Sequence, residues 1–127
     1  MKYRILIVED NEDTREILRV FLEYHGYEVV MAMTGEDAVA GFDTIRPDLV
    51  VLDVDLPGGM DGCDTLDRIR QTGHQTPVFM FSEHYDRFCD RIDESGPDCF
   101  FSKSKGALQL VVAITRKLGT DPSGQAT

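Results

Sequence analysis

Short apolar runs and amphipathic stretches alternate along the chain. Five runs have the length and the β-branched or aromatic content of strands, and they cover residues 3–8, 28–31, 48–53, 77–81 and 99–101. The segment after each run carries apolar residues at helical spacing, as Ile17, Leu18, Phe21 and Leu22 do after the first one. The pattern therefore predicts five strands that alternate with five helices.

Polar and glycine residues mark the ends of the predicted helices. Thr34 stands at the N-cap position of the second helix, with Asp37 three residues later in the capping-box position. The fourth helix, around Phe88 and Ile92, is strongly charged and ends before Gly96. The last helix carries Leu108, Val111, Val112, Ile114 and Leu118.

Alternating strands and helices in 127 residues predict a doubly wound α/β fold with one five-stranded parallel sheet and five helices. The flavodoxin-like strand order 2-1-3-4-5 is the common solution. We expect one domain over residues 1–118, with residues 119–127 as a C-terminal tail or the start of a linker. Because no apolar run is long enough to span a bilayer, we expect a cytoplasmic protein without membrane association.

Polar side chains follow the predicted strands at one edge of the sheet. In the 2-1-3-4-5 order, strands one and three are neighbours, so Glu9 and Asp10 should meet Asp53 at the crevice outside the strand ends. Ser82 and Lys103 end the next two strands at the same edge. The topology therefore brings residues that are far apart in sequence to one candidate site.

Clustered carboxylates repel one another unless a cation lies between them. Mg²⁺ prefers hard oxygen ligands, is typically held by one or two carboxylates and keeps several waters. We expect Asp10 and Asp53 to be direct ligands and Glu9 to act directly or through water. A backbone carbonyl near Asp55 would complete the set.

In such a site, Asp53 can accept a phosphoryl group, because the metal screens the carboxylate from the incoming anion. Lys103 can supply a second positive charge to the phosphoryl group, and the Ser82 hydroxyl can donate a hydrogen bond to it. We therefore predict a signalling switch and not an enzyme. The net charge of −10 gives this chain no electrostatic reason to bind nucleic acid or anionic lipid.

These motifs resemble the receiver domain of two-component response regulators over about residues 3–118. The matching segments are Ile5–Asn11, Val51–Asp53, Pro57, Met60–Gly62, Ser82 and Lys103. The resemblance implies that Asp53 takes a phosphoryl group from a histidine kinase or phosphotransfer protein. It also implies that Glu9 and Asp10 hold Mg²⁺ and that Ser82 and Lys103 contact the phosphoryl group.

The resemblance further implies a conformational switch. Ser82 would move toward the phosphate, and Phe100, at the position of the switch aromatic, would enter the space that Ser82 leaves. The surface formed by the fourth helix, the fifth strand and the fifth helix would then change for a downstream effector that the sequence leaves unknown. By family analogy alone, the same face could form a homodimer.

The chain departs from the usual receiver pattern at several places. Gly58–Gly59 makes the loop after the acceptor one residue longer, Asp55 adds a carboxylate, and Glu83 replaces a small residue. Lys103-Ser104 stands where the family commonly has Lys-Pro with a cis bond. We expect either a trans bond with Lys103 reoriented or a cis bond held by local contacts.

Two other functions fit parts of the pattern. The departures at the site are compatible with a receiver-like binding module that is not phosphorylated. Asp53 and Asp55 also resemble the Asp-x-Asp signature of haloacid-dehalogenase-type phosphatases, in which the second Asp is a general acid/base. That signature normally lies on the first strand, whereas here it follows the third strand and leaves the Glu9–Asp10 pair unexplained.

Overall fold

The computed structural model describes residues 2–83 and 98–119. Within them the strands are β1 (Arg4–Val8), β2 (Glu28–Ala32), β3 (Leu49–Leu52), β4 (Val78–Ser82) and β5 (Cys99–Ser102). The helices are α1 (Glu12–Tyr24), α2 (Gly35–Ile45), α3 (Gly62–Gln71) and α4 (Leu108–Leu118), and a 3₁₀ turn covers Lys103–Lys105. The helix predicted around Phe88 and Ile92 lies outside the described residues, so α4 is the helix predicted as the fifth.

The five strands form one parallel sheet in the order β2-β1-β3-β4-β5, which confirms the predicted flavodoxin-like topology. Val8 pairs with Leu52 at the ends of β1 and β3, and Ser82 pairs with Ser102 at the ends of β4 and β5. These registers align the carboxyl ends of the central strands. The residues that follow them therefore leave the sheet side by side.

Helices cover the sheet on both faces. One apolar cluster packs α2 and α3 against the sheet, and the other packs α1 and α4 against the opposite face. β3 contributes Val50 and Leu52 to the first cluster and Leu49 and Val51 to the second. This division explains why β3 is an unbroken apolar run, since both of its faces are buried.

The first helix buries a narrower stripe than its apolar residues suggest. Leu18 and Leu22 are buried, whereas Ile17 is 51% and Phe21 46% exposed. Each residue turns the helix by about 100°, so Ile17 and Phe21 lie on the flank of the stripe that faces the sheet. In the part of the chain that the structure describes, no helix is long and apolar enough to cross a membrane.

Candidate functional site

Three carboxylates meet where β1 and β3 end. Glu9 and Asp10 follow β1, and Asp53 follows β3 on the neighbouring strand. One carboxylate oxygen from each residue lies within 4.8 Å of the others. Glu9 and Asp53 are only 2% and 3% exposed, whereas Asp10 faces solvent. The crevice expected from the strand order therefore contains the predicted acidic cluster, with one side open to water.

Lys103 lies between the two buried carboxylates. Its Nζ is 2.6 Å from Glu9 Oε1 and 2.9 Å from Asp53 Oδ2. No cis peptide bond is present in the described residues, so the bond between Lys103 and Ser104 is trans. The 3₁₀ turn that begins at Lys103 still brings the ammonium group to the acids, and Lys105 remains exposed.

Burial controls the protonation of this cluster. Desolvation, reinforced by the nearby charge of Asp53, raises the pKa of Glu9 from 4.5 to about 7, and the hydrogen bond from Lys103 offsets only part of that effect. Burial by itself would lower the pKa of Lys103. The hydrogen bonds to Glu9 and Asp53, together with the negative charges of these two residues, outweigh the burial, so that the pKa of Lys103 is raised. The ammonium group stays charged at neutral pH and Glu9 is partly protonated.

The donor set fits a hard divalent cation. It offers three carboxylates, and within the described residues a single lysine is paired with two of them. These three carboxylates face one ammonium group, so the cluster holds more acidic than basic side chains. A cation with oxygen preference would supply the missing positive charge, and the exposed Asp10 gives it a route from solvent.

Backbone contacts hold the acidic turn in place. The Nη1 atom of Arg15, one turn into α1, donates to the backbone carbonyls of Glu9 (3.0 Å) and Asp10 (2.8 Å). The Asn11 amide donates to Glu9 Oε2 at 3.1 Å, and the Asp55 amide donates to Asp53 Oδ1 at 3.2 Å. The sequence analysis missed Arg15, because a side chain that binds backbone carbonyls leaves no pattern of residue types.

A close helix approach fixes the backbone of the acceptor. The amide of Gly62, the first residue of α3, donates to the Val54 carbonyl at 2.8 Å. A Cβ at position 62 would lie 2.1 Å from the backbone oxygen of Asp53 and 2.7 Å from the Cα of Val54. Only glycine allows α3 to begin this close to Asp53.

The remaining predicted residues lie on β4 and β5. Ser82 is the buried last residue of β4, at the same sheet edge as Asp53. Phe100 is half-buried on β5 and packs against the apolar cluster on the α2 and α3 side. Glu83 and Asp55 are exposed. The structure thus brings Glu9, Asp10, Asp53 and Lys103 together, with Ser82 on the adjoining strand.

Sequence comparison gives a family for this arrangement. Residues 5–115 match the response regulator receiver domain. The transcriptional regulatory protein TrcR of Mycobacterium tuberculosis is 34% identical over 113 residues, which cover 87% of this chain and 43% of TrcR. A protein-glutamate methylesterase/protein-glutamine glutaminase of Trichodesmium erythraeum is 48% identical over 83 residues, which cover 64% of this chain and 23% of that protein.

Structural comparison agrees with the sequence match. The response regulator TrrA of Thermotoga maritima, solved in complex with Mg²⁺-BeF, superposes with a TM-score of 0.76 and 32% identity. The superposition covers 91% of this chain and 98% of TrrA. In contrast, the chain spans less than half the length of the two curated relatives above.

Proposed function

This chain belongs to the response regulator receiver family of two-component signalling, and from that premise we propose that Asp53 is its phosphoacceptor. The observation that carries the proposal is the direct contact of the buried Asp53 carboxylate with Lys103, 2.9 Å away, inside a cluster with Glu9 and Asp10. Elsewhere in the described residues, no three acidic, histidine or cysteine side chains bring their ligand atoms within 4.8 Å of one another.

We propose that Asp10 and Asp53 bind Mg²⁺ directly, that Glu9 binds it directly or through water, and that the Asp55 backbone carbonyl completes the site. When bound, the metal supplies positive charge that screens Asp53 from an incoming phosphoryl group. The Arg15 contacts tie the backbone of the Glu9–Asp10 turn to α1.

Lys103 and Ser82 act on the phosphoryl group in this proposal. The Lys103 ammonium already donates a hydrogen bond to Asp53 Oδ2. A small movement would therefore bring it to an oxygen of a phosphoryl group on Asp53. The Ser82 hydroxyl, at the end of the adjoining strand, donates a hydrogen bond to a phosphoryl oxygen. Both residues would stabilise the negative charge of the phosphoryl group.

The output is a change of surface. Movement of Ser82 toward the phosphate lets the half-buried Phe100 ring turn inward, and the face that includes β5 and α4 changes with it. We propose a histidine kinase or phosphotransfer protein as the phosphodonor, acting in the cytoplasm, and a downstream effector or second copy of the chain at this face. The receiver unit would cover residues 1–118, with residues 119–127 as tail or linker.

We propose that this receiver has no turnover of its own toward phosphate esters. The methylesterase activity in one relative's name belongs to a protein of which the match covers only 23%. The haloacid-dehalogenase alternative requires Asp55 to act as an acid/base, but Asp55 is exposed and its amide contacts Asp53. Incubation with a generic phosphomonoester should therefore release no phosphate above the level of an Asp53→Asn variant.

Acetyl phosphate labelling tests the phosphoacceptor proposal. We expect wild-type protein to gain one phosphate, seen by intact mass, only when Mg²⁺ is present. The Asp53→Asn variant should gain none, whereas Asp55→Asn should still be labelled. If the wild type stays unmodified while a control receiver is labelled, the chain is a receiver-like binding module that is not phosphorylated.

A further inference from the structure

The loop between β3 and α3 is held at its middle as well as at its two ends. This loop contains Gly58 and Gly59, and Gly58 has a φ of +91°, a conformation that glycine adopts without strain. Two adjacent glycines give the loop many accessible conformations. Something must restrict them if the loop is to hold one position beside Asp53.

Glu36 on the first turn of α2 supplies that restriction. Its Oε2 atom accepts a hydrogen bond from the Gly59 amide at 3.0 Å. A Cβ at position 58 would lie only 2.9 Å from the same oxygen, so the loop tip packs directly against the carboxylate. The contact joins residues 23 positions apart in sequence and links the start of α2 to the loop between β3 and α3.

The position of α2 makes this contact possible. A Cβ at Gly35 would lie 2.0 Å from Thr65 Oγ1 and 3.4 Å from Met60 Cγ. The missing side chain at position 35 thus lets the start of α2 pack against α3 and the end of the loop. Glu36, the next residue, is thereby carried to the loop tip.

The two ends of the loop are held by other contacts. At the start, the Asp55 amide donates to Asp53 Oδ1, and at the end Asp61 and Asp64 form a capping box that begins α3. Glu36 holds the middle, and release of the tip would let the backbone at Asp55 move relative to the Asp53 carboxylate. We propose that Glu36 is a positioning residue that keeps this loop, and with it the Asp55 backbone, in place for Mg²⁺ and phosphoryl transfer.

Three variants test this proposal, which rests on the proposed function. Glu36→Ala removes the acceptor, Glu36→Gln keeps an acceptor oxygen without the charge, and Asp37→Ala removes a neighbouring acid of the same helical turn as a matched control. In Glu36→Ala, we expect hydrogen exchange at the Gly59 amide to rise about five- to tenfold. The Mg²⁺ dissociation constant, measured by NMR titration with Mg²⁺ alone, should rise about three- to tenfold.

Glu36→Gln should restore both values to near wild type, and Asp37→Ala should leave both unchanged. The proposal is overturned if Gly59 exchange in Glu36→Ala equals that of wild type, or if exchange rises while Mg²⁺ affinity stays the same. It is also overturned if Asp37→Ala weakens Mg²⁺ binding equally, since charge alone would then explain the effect. Failure of the wild type to accept phosphate, with these binding results intact, would refute only the phosphoacceptor proposal.

Discussion

At two places in this protein, a basic side chain contacts two carboxylates, and the two places differ in their exposure to solvent. At the sheet edge, Lys103 Nζ contacts Glu9 and Asp53 at 2.6 and 2.9 Å, and both acids are buried. Here the pKa of Glu9 rises to about 7, chiefly because burial penalises its charged form. One cation is therefore too little for this cluster.

On the outer face of α1, one basic side chain again contacts two carboxylates, but here the pKa of an acid is lowered and not raised. Arg19 binds Glu16, three residues earlier, and Glu23, four residues later, where its Nη1 is 2.6 Å from Glu23 Oε1. The hydrogen bond from Arg19 lowers the pKa of Glu16, and the same contact raises that of Arg19. Water solvates these charges, so their attraction is not opposed by a large desolvation cost.

The comparison shows that burial, and not the number of charges, makes the sheet edge receptive to a further cation. A surface triad of this kind is already satisfied by water and contributes little to stability. The buried triad carries an electrostatic cost in the metal-free protein, and a bound divalent cation would relieve it. Four predictions test this difference.

The largest effect is expected for Lys103→Ala at pH 8. Removal of the ammonium leaves two buried carboxylates without their cation, so the free energy of unfolding of the metal-free protein should fall by about 3 kcal/mol. Urea denaturation in the presence of EDTA measures the change. Added Mg²⁺ should stabilise this variant more than it stabilises the wild type.

Lys105→Ala is the matched control, because Lys105 is exposed in the same 3₁₀ turn. It should leave the urea midpoint unchanged. Equal losses in the two variants would show that the buried triad has no special role in stability.

The next effect concerns pH. The pKa of Glu9 is near 4.5 in the unfolded chain and about 7 in the folded protein, so the folded state holds more protons between these values. The stability contributed by this proton is fully present below pH 4.5 and is lost as pH rises through 7, by at most about 3 kcal/mol. Urea midpoints across this range should show the decline in EDTA, and saturating Mg²⁺ should flatten it.

Glu9→Gln isolates that contribution, since glutamine keeps the shape without the titration. The difference in urea midpoint between the wild type and Glu9→Gln should shrink toward zero when Mg²⁺ saturates the wild type. A decline of the same slope in both proteins would assign the pH dependence to other groups.

A smaller effect is expected for Arg15→Ala. This change removes two hydrogen bonds from a charged donor to the carbonyls of Glu9 and Asp10, which should cost about 1 kcal/mol of unfolding free energy. Because the acidic turn loosens, the Mg²⁺ dissociation constant should rise as well. Thermal unfolding and NMR titration with Mg²⁺ measure the two quantities, and an unchanged Mg²⁺ affinity would limit Arg15 to a structural role.

The smallest effect is expected for Arg19→Ala. Water solvates Glu16 and Glu23 when Arg19 is removed, so the urea midpoint and the Mg²⁺ affinity should both stay within error of the wild type. If Arg19→Ala lowers the free energy of unfolding as much as Lys103→Ala does, the proposed difference between the buried and the exposed triad is wrong.

Local pattern predicted most of the fold. The apolar run of β3 and the helical spacing of Val111 and Ile114 identify buried elements, because strands and helices each repeat at a fixed period. Thr34 accepts a hydrogen bond from the Asp37 amide, as the capping pattern predicted. The apolar residues of α1 were less informative, since spacing identifies a helix but does not show how far its flanks are covered.

The sequence by itself determined which residues reach the sheet edge, because the carboxyl ends of parallel strands in a 2-1-3-4-5 sheet must meet. That rule was enough to bring Asp53 to Glu9, Asp10 and Lys103. Only the tertiary structure decided that Lys103 contacts both buried acids across a trans bond, that burial raises the pKa of Glu9, and that Glu36 binds the loop at Gly59. These features depend on distance, desolvation and backbone approach, which no spacing of residue types encodes.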